Sequence, residues 1–578
     1  MSTTTTPTPL GRAAAGTADY LDQRTGLGVA VKTFARKIFP DHWSFLLGEI
    51  ALFSFVTLLI SGVFLTMFFV PSMAETHYTG PWDSLNGVQM SEAFSSTLRL
   101  SFEVRGGLLM RQIHHWAALI FMASIVTHMM RVFFTGAFRK PRELNWVVGF
   151  TLLILGLLAG FSGYSLPDDV LSGNGLRITD GVIKAVPIIG SYASYFVFGG
   201  EFPGQDLIPR LFTVHVLLVP ALILALIGLH LLFVVLHKHT QYPGSGRKDT
   251  NVVGFPLFPI YVAKAGGYFF TVFGVIALMA ATMSINPVWN YGPYDPSPVS
   301  AGAQPDWYML FLEGSLRLMP GGAEFVTWGD FTVSLNVIIP AMIVPGVLFT
   351  LLAIYPFVEA AVTGDKREHH VLDRPRNRPF RTSFGVAVLV AFFILVLAGS
   401  NDLIATHFHL SINDITWVFR VLFFVGPWLA FIITKRICLG LQRKDRELVL
   451  HGHETGRIVR FASGEYIEVH KPLDAHERWL RVQHDNIRPL EIEPAEDARG
   501  VRRKGYQVDR IRQRLSQVFY EDRVEPVTPS EVAAAHAHGH GEHDEIAADS
   551  HEPAQVGGGT HLVEPEGETT TDGRNPQV

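Results

Sequence analysis

Two long apolar stretches of the sequence carry histidines at similar separations. Residues 109–134 read LMRQIHHWAALIFMASIVTHMMRVFF, and residues 209–236 read PRLFTVHVLLVPALILALIGLHLLFVVL. Each is long enough to cross a hydrocarbon core about 30 Å thick, which takes about 20 apolar residues of helix. Ionisable side chains inside a membrane are costly and tend to mark function. The two stretches therefore indicate both the fold class and the place of a functional site.

Six further stretches have the same apolar character, so we predict an all-α integral membrane protein. The eight predicted transmembrane helices are numbered α1 to α8: Phe45–Val70, Leu109–Phe134, Trp146–Tyr164, Pro209–Leu236, Tyr268–Ser284, Leu335–Val358, Phe384–Gly399 and Ile415–Ile437. The formal net charge of −5 argues against a nucleic-acid partner and leaves membrane lipid and other proteins.

The basic residues are divided unevenly between the two sets of loops. Lys and Arg are frequent before α1 and in the α2–α3, α4–α5 and α6–α7 loops, whereas the alternate loops carry few: Arg99, Arg105, Arg177, Lys184 and Arg317. Because basic loops are retained in the cytoplasm, both termini are predicted to be cytoplasmic. The beginnings of α2 and α4 then lie at the outer surface.

Four histidines on α2 and α4 form two predicted levels. His114 and His128 are 14 residues apart, which returns to within about 40° of one direction; His215 and His230 are 15 apart, a mismatch of about 60°. The two helices run the same way, so His114 and His215 share an outer level, and His128 and His230 share an inner level. Along the axis the levels are about 21 Å apart.

Neutral imidazoles are good axial ligands for haem iron, and facing helices can hold a porphyrin between them. We therefore predict two haem b groups, one at each level. Cys438 is the only cysteine and the sequence has no Cys-x-x-Cys-His motif, so both haems would be non-covalent. A single histidine in a membrane helix is as often a hydrogen-bonded core residue, and His115, a rival to His114, points about 100° away from it. We interpret His115 as a supporting or lipid-interface residue.

Two pairs of glycines repeat the spacing of 14 residues. Gly48 and Gly62 lie on α1, and Gly149 and Gly163 lie on α3. Both helices run inside to outside, so Gly48 and Gly149 match the inner level and Gly62 and Gly163 the outer level. Glycine lets backbones approach a flat macrocycle closely, although glycines in membrane helices often serve helix packing alone.

Three arginines lie near the predicted levels. Arg111 and Arg210 are close in sequence to the outer histidines, and Arg131 follows His128. Haem propionates need cationic partners, so these residues are candidates for that role. Snorkelling of an arginine to the membrane interface is the alternative.

Several short strings resemble a known family. They are Arg-Gln-Ile-His-His-Trp (111–116), His-Met-Met-Arg (128–131), Gly-Tyr-Ser-Leu-Pro (163–167), Pro-Ile-Ile-Gly (187–190) and Pro-Asp-Trp-Tyr (305–308). In this order they resemble the signature stretches of cytochrome b in cytochrome bc complexes. The eight-helix chain, the aspartate in the last string and His-Gly-His-Glu-Thr-Gly-Arg (451–457) look actinobacterial, and the 15-residue step on α4 looks like the chloroplast-type branch.

The resemblance implies a quinol oxidation site on the outer side and a quinone reduction site on the inner side. Asp306 stands where the family places an acid that accepts a quinol proton, which is chemically suitable for a partly buried carboxylate. Other residues that the resemblance places at this site are Pro305, Trp307, Tyr308, Gly163, Tyr164, Pro167 and Gly175.

The sequence departs from the family pattern at both predicted quinone sites. Glu313 replaces a tyrosine that many relatives have, which suggests a second proton-handling carboxylate. On the inner side His237 resembles a quinone-contacting histidine, with His239 as a competitor. Lys264 fits the pattern, while Ala265 stands where many relatives have aspartate, so the inner proton donor is open.

The resemblance also implies an assembly in the plasma membrane. Menaquinol would be the substrate, and the partners would be a Rieske iron–sulfur protein, a cytochrome c subunit and a terminal oxidase in a supercomplex. The complex would be a homodimer. Two other function classes remain open: a dihaem anchor of a dehydrogenase, which leaves α5–α8 unexplained, and a transporter with histidines in a proton path, which predicts no haem.

We predict five regions along the chain. They are a cytoplasmic N-terminal segment (1–42), a dihaem four-helix core (43–240), a transmembrane part with the outer quinol-site loop (241–440), a cytoplasmic extension (441–525) and a tail (526–578). Around 456–469 the extension has short apolar stretches typical of strands. The tail is rich in Ala, Gly, Glu, Thr and His and has too little apolar surface to fold, so its histidines are interpreted as solvated rather than as a metal site.

Overall fold

The structure is a computed structural model that describes residues 9–297, 304–326, 332–481, 489–496, 499–520, 523–525, 527–528 and 530–535. Within these ranges, eight helices are long and apolar enough to cross a membrane, which confirms the predicted fold class. They are α1 (Trp43–Thr66), α2 (Gly107–Phe134), α3 (Glu143–Tyr164), α4 (Leu207–Leu236), α5 (Leu257–Thr282), α6 (Leu335–Thr363), α7 (Pro379–Gly399) and α8 (Ile412–His451).

Two helices extend well beyond their predicted ends. The helix α5 begins at Leu257 instead of Tyr268, and α8 continues past Ile437 to His451. The predicted ends followed the uninterrupted apolar run, whereas the added segment of α5 opens with a π turn at Leu257–Tyr261 and contains Lys264 and two glycines, and the added segment of α8 is largely polar. After Ile437 the sequence is rich in Leu, Gln, Arg, Lys and Glu, which are good helix formers in water.

The largest buried cluster lies among the first four membrane helices. Phe55 on α1, Phe121 and Met122 on α2, and Val219 and Ile223 on α4 meet there. Tyr308, from the connection between α5 and α6, is packed into the same cluster. These apolar side chains fill the space between the two histidine levels, so each level is enclosed by packed helices.

Shorter helices connect the membrane spans. Two precede α1, and the others lie in the connections and after α8: Pro9–Thr25, Leu27–Ala35, Glu92–Phe102, Val170–Lys184, Gly190–Phe198, Val288–Tyr291, Leu310–Leu318, Asn401–Phe408, Ala475–Arg481 and Tyr506–Tyr520.

The described strands form four antiparallel pairs. They are β1 (Ile38–Phe39) with β4 (Phe255–Pro256), β2 (Glu75–His77) with β3 (Gln89–Ser91), β5 (Glu324–Val326) with β6 (Thr332–Ser334), and β7 (His453–Arg460) with β8 (Tyr466–Lys471). The β1–β4 pair joins the segment before α1 to the segment before α5. It therefore brings the beginnings of these two helices together.

The chain divides into two compact units. Residues 1–444 and 483–525 form one unit, and residues 445–482 and 526–578 form the other. The second unit contains the β7–β8 hairpin, in the region where the sequence indicates strands. Residues 441–525, predicted as a single extension, are thus shared between the units. Residues 536–578, the main part of the predicted tail, lie outside the described residues.

A buried ion network holds the connection between α6 and α7. Arg381 is 1% exposed and donates hydrogen bonds to Glu359 at 2.6 and 2.9 Å and to Asp373 at 2.9 Å. Arg139 and Arg378 also pair with Asp373, at 3.2 and 3.1 Å. Burial alone would raise the pKa of Asp373, but the three arginines outweigh it and hold that pKa far below its usual range.

Candidate functional site

The four membrane histidines form two facing pairs. The ring centres of His114 and His215 are 6.1 Å apart, and those of His128 and His230 are 6.4 Å apart. An iron between two imidazoles, each bonded at about 2.0 Å with the ring centre about 1.1 Å farther on, would separate the ring centres by about 6.2 Å. Both pairs therefore fit bis-histidine ligation of a haem iron.

A π-helical turn resolves the unequal histidine spacing. On α4, residues Val214–Leu218 form a single π turn that contains His215. A π turn accommodates one extra residue within an α-helix. The 15-residue step on α4 thus matches the 14-residue step on α2, and both of its histidines face α2.

Each of the four glycines lies against one histidine ring. A Cβ on Gly48 would lie 3.1 Å from His128 Cε1, and one on Gly62 would lie 3.3 Å from His114 Cε1. On α3 the partners are His230 for Gly149, at 3.6 Å, and His215 for Gly163, whose Nδ1 and Nε2 would be 2.9 Å away. The structure therefore places these glycines at the levels that their spacing indicates. Each glycine backbone approaches a histidine ring closely, so the missing side chain determines the space that the imidazole can occupy.

Hydrogen bonds hold the outer imidazoles at one nitrogen. His114 Nδ1 is 2.9 Å from Ser61 Oγ, and His215 Nδ1 is 3.0 Å from the carbonyl oxygen of Ala159. A metal-ligating histidine usually donates its second N–H in this way, which leaves Nε2 for the metal. At the inner level, Nδ1 of His128 and of His230 is buried without a well-formed hydrogen bond within the described residues.

Two of the three candidate arginines present unpaired buried nitrogens. Among the described residues, Nε of Arg111 and both Nε and Nη2 of Arg131 are buried and lack a partner. The guanidinium of Arg131 lies 4.4 Å from the ring centre of Phe45. Buried cations require compensation, and a haem propionate would supply it. Arg210 is half exposed and bonds to Asp206 instead, so it does not take part in this arrangement.

Asp306, His115 and Tyr308 form a group of contacting side chains, the acidic cluster, next to the outer histidine pair. Asp306 is 16% exposed, and its carboxylate lies 3.0 Å from His115 Nε2 and accepts a hydrogen bond from Tyr308 Oη at 2.9 Å. Tyr308 is buried against α3, where a Cβ on Gly160 would collide with its hydroxyl. Burial, reinforced by the adjacent Asp306, raises the pKa of Tyr308 well above its usual value, so the hydroxyl remains a donor.

The other residues predicted for the outer site surround this cluster. The ring of Trp307 lies 5.8 Å from that of Tyr308, and Pro305 is partly buried beside Asp306. Tyr164, at the end of α3, lies within electrostatic range of Asp306. Tyr164 also covers Gly175, where a Cβ would be 3.5 Å from its ring. Pro167 follows in the same partly buried turn.

Glu313 belongs to an ion-paired network. Its carboxylate lies 2.5 Å from Arg317, which also pairs with Asp402 at 2.8 Å. Its second oxygen, Oε2, is buried without a hydrogen-bond partner in the described part of the chain. Burial raises the pKa of Glu313 more than Arg317 lowers it. A partly buried carboxyl group with a raised pKa is chemically suited to take up and release protons.

On the inner side the structure separates the two competing histidines. His237 stacks on Phe233 of its own helix with ring centres 5.4 Å apart. His239 instead lines a cavity of ≈ 230 Å³, with Lys37, Phe39 and Lys238 among its other walls. Burial and neighbouring basic residues lower the pKa of His239 to about 4, so its ring is neutral at pH 7.

Lys264 lies at the exposed edge of this region. Its ammonium group is 2.6 Å from the carboxylate of Asp41, and both side chains are about half exposed. Ala265, the next residue, offers no ionisable group. The acids that the structure brings to the start of α5 are Asp41, which pairs with Lys264, and Glu49 on α1, which bonds to Tyr261.

Comparison with known proteins identifies the family. The family model described as Cytochrome b(N-terminal)/b6/petB matches residues 119–293. The cytochrome bc1 complex cytochrome b subunit of Streptomyces coelicolor is 56% identical over 535 residues, covering 91% of this chain and 98% of the relative. The chain belongs to the cytochrome b family of bc1 complexes.

Further comparisons agree with this assignment. The cytochrome bc1 complex cytochrome b subunit of Mycobacterium tuberculosis is 49% identical over 488 residues, covering 84% of this chain and 88% of the relative. A solved structure titled Hyperthermophilic respiratory Complex III has a TM-score of 0.55 and 24% identity, covering 73% of this cytochrome b and 99% of that chain. The latter likeness shows a shared fold. The actinobacterial cytochrome b resemblance seen in the sequence is thereby confirmed.

One contact of this cytochrome b was not anticipated from its sequence. His115 was interpreted as a supporting or lipid-interface residue, yet its Nε2 lies against the Asp306 carboxylate. Because successive residues of a helix are rotated by about 100°, His115 points away from the His114–His215 pair, as the sequence predicts. The sequence did contain one indication of this contact: two adjacent histidines on a helix must face different surroundings, so His115 needs a partner of its own.

Proposed function

We propose that this cytochrome b is the dihaem, quinol-oxidising subunit of a quinol:cytochrome c oxidoreductase. Two non-covalent haem b groups would be held by His114 with His215 and by His128 with His230. The observation that carries this proposal is the pair of ring separations, 6.1 and 6.4 Å, each matching two axial imidazoles on one iron. When bound, haem supplies one-electron transfer at its iron.

The chain's own residues would position these groups. The four glycines leave room for the imidazoles, and Ser61 and Ala159 fix the outer rings through Nδ1. Arg111 and Arg131 offer buried N–H groups to propionates. With about 1.5 Å of rise per residue, the two levels are about 21 Å apart along α2, which spans most of the hydrocarbon core.

At the outer site Asp306 would accept a proton as a quinol is oxidised. His115 and Tyr308 hold the carboxylate from two sides, which fixes the direction in which its free lone pairs point. A quinol hydroxyl loses its proton more readily to a carboxylate at hydrogen-bond distance than to water, because the acceptor is already in place. Glu313, ion-paired to Arg317, would be the second carboxyl group on the way to water.

The finer assignments belong to the same proposal. One electron of each quinol would leave to a Rieske iron–sulfur partner, and the other would pass through the outer and inner haems to a quinone near His239 and the cavity beside it, with Lys264 at its edge. Menaquinol is the proposed quinol. A cytochrome c subunit and a terminal oxidase would complete the assembly, as a homodimer in the plasma membrane with both termini cytoplasmic. Family membership and the uneven distribution of basic loop residues support these points.

Replacement of Asp306 by Asn tests the outer chemistry. Asp306→Asn keeps the shape and the Tyr308 contact but cannot take up a proton, so quinol oxidation should slow by about 10²-fold or more. The control is Asp295→Asn, a fully exposed acid in the same connection. Turnover is measured as cytochrome c reduction by menaquinol in the purified complex, and both haems should remain in a reduced-minus-oxidised spectrum. Turnover equal to that of the control variant would refute the assigned role.

A further inference from the structure

A single acidic residue lies within α1. Glu49 follows Gly48, the residue whose Cα faces the His128 ring. An ionisable side chain in a membrane helix is costly unless it has a partner or a function. Glu49 has a partner on another helix, because the hydroxyl of Tyr261, in the first turn of α5, donates a hydrogen bond to its Oε1.

Aromatic rings connect this pair to the inner cavity. The ring of Phe39 lies 4.7 Å from that of Tyr261 on one side and 4.5 Å from that of His239 on the other. Phe39 and His239 both line the ≈ 230 Å³ cavity. The ring of Tyr261 therefore contacts a wall of this cavity, whose lining also includes Lys37 and Lys238.

The pair also has a route to water. Lys264 lies three residues after Tyr261, on the same side of α5, and its ion pair with Asp41 is about half exposed. Asp41 lies within electrostatic range of the Tyr261 hydroxyl. Tyr261 is thus linked to Glu49 by a hydrogen bond, to the exposed Asp41 electrostatically, and to the cavity-lining Phe39 by a ring contact.

We propose that Glu49 and Tyr261 form the proton entry to the inner quinone cavity. This inference rests on the proposed function and names residues that supply its protons. Reduction of a quinone to a quinol takes up two electrons, which the proposed electron-transfer function would deliver, and two protons, one at each carbonyl oxygen. The Tyr261 hydroxyl passes its proton toward the cavity and takes one from the Glu49 carboxyl, and the carboxylate left behind is reprotonated through the same hydroxyl from water beside Asp41. Ala265 itself cannot carry a proton.

If the Glu49–Tyr261 hydrogen bond only held two helices together, the Glu49→Gln variant would behave differently. The Glu49–Tyr261 hydrogen bond also joins α1 to α5, and a helix-joining bond would be kept by a neutral amide. Two groups on α5 interact with Glu49: Tyr261 by a hydrogen bond and Tyr268 electrostatically, and Asp41 acts on the Tyr261 hydroxyl in turn. On α2, His128 lies against the adjacent Gly48 and Arg131 lies over Phe45. These groups can also contribute to the pH dependence of inner haem reduction, so each variant is compared with wild type at the same pH values.

The test uses the purified complex with the Rieske cluster already reduced, so that menaquinol can reduce haem only from the inner cavity. Menaquinol oxidised in the inner cavity releases its protons there, so Glu49→Gln should slow this haem reduction by about tenfold or more and flatten its pH dependence, because an amide can neither accept nor return a carboxyl proton. Glu49→Asp should restore most of the rate. Glu143→Gln, which removes an acid from the first turn of α3, is the control and should stay within about twofold of wild type.

Infrared difference spectra supply a readout that does not depend on turnover. A protonated carboxyl band that changes when the complex is reduced should be present in wild type and Glu143→Gln and missing in Glu49→Gln. If Glu49→Gln fails to assemble, Tyr261→Phe keeps the carboxylate and should still slow inner haem reduction with both haems in place. Wild-type rate and pH dependence in Glu49→Gln or in Tyr261→Phe would overturn the inference. A wild-type complex without b haem would instead overturn the proposed function.

Discussion

Replacing Gly163 by Ala tests the fit between α3 and the outer histidine pair. The added Cβ would overlap His215 Cε1 and would lie 2.9 Å from both ring nitrogens. Carbon contacts are favourable at about 3.5–4.0 Å, so the ring must move by about 1 Å. Metal–ligand distances tolerate about 0.2 Å, so such a shift removes the imidazole from its axial position.

The energetic cost follows from the same overlap. Adding a methyl group to a filled site typically costs about 1–3 kcal/mol, which corresponds to about 5- to 140-fold weaker outer haem binding. The haem-to-protein ratio of the purified complex should therefore fall from two toward one. Reduced-minus-oxidised spectra should lose the outer component alone, and quinol oxidation should fall with it.

The chain offers a graded series and a control for this experiment. The same substitution should have smaller effects at Gly48 and Gly62, where the Cβ distances are 3.1 and 3.3 Å, and the smallest effect at Gly149, at 3.6 Å. Gly228, on α4, has no atom within 4 Å of a built Cβ among the described residues, and its alanine variant should keep both haems. Two haems with a normal spectrum in Gly163→Ala, or an equal loss in Gly228→Ala, would refute the reasoning.

Two further predictions concern the inner level and the ion network. His230→Leu should remove only the inner haem, since His114 and its partner keep their contacts; a haem-to-protein ratio of two, or of zero, would contradict the ligand assignment. Arg381→Met should destabilise the complex by about 3–5 kcal/mol, because Glu359 and Asp373 would be left buried without their shared cation. Since the folded pKa of Asp373 is depressed, the stabilisation is complete above the ordinary aspartate pKa of about 3.9 and is lost as pH falls below it. Thermal unfolding followed at several pH values checks both statements, and an unchanged midpoint in Arg381→Met would contradict them.

The membrane helices were predictable because their signal is local. A helix in lipid must satisfy its own backbone hydrogen bonds, so length and apolar composition are enough to locate it. The end of α8 was missed because the helix continues through polar residues after the apolar signal ends, and the start of α5 was missed because Lys264, Gly266 and Gly267 interrupt the apolar run. The π turn at Val214–Leu218 was missed for a related reason: the sequence contains the extra residue but does not show which turn widens to accept it.

The candidate site was predictable where it depends on helix periodicity. The four histidines and the four glycines lie at the levels that their spacings indicate, because a helix converts sequence separation directly into depth and direction. Partners that arrive from distant segments were not predictable in this way. Asp306 is 191 positions from His115 in the sequence. The bond of Arg210 to Asp206 depends on the conformation of a surface loop.

One turn of α3 relates the outer histidine pair to the acidic cluster. Gly160 leaves room for the Tyr308 hydroxyl, and Gly163, three residues later, leaves room for the His215 ring. Because Tyr308 also donates a hydrogen bond to Asp306, the carboxylate and the outer imidazole are both positioned from the same helical turn. Electron transfer and proton transfer from one quinol must occur close together, and a shared rigid element fixes that separation more reliably than two independent loops could. Gly160 and Gly163, which have no side chain, therefore bring the proposed proton acceptor and the proposed electron acceptor close together.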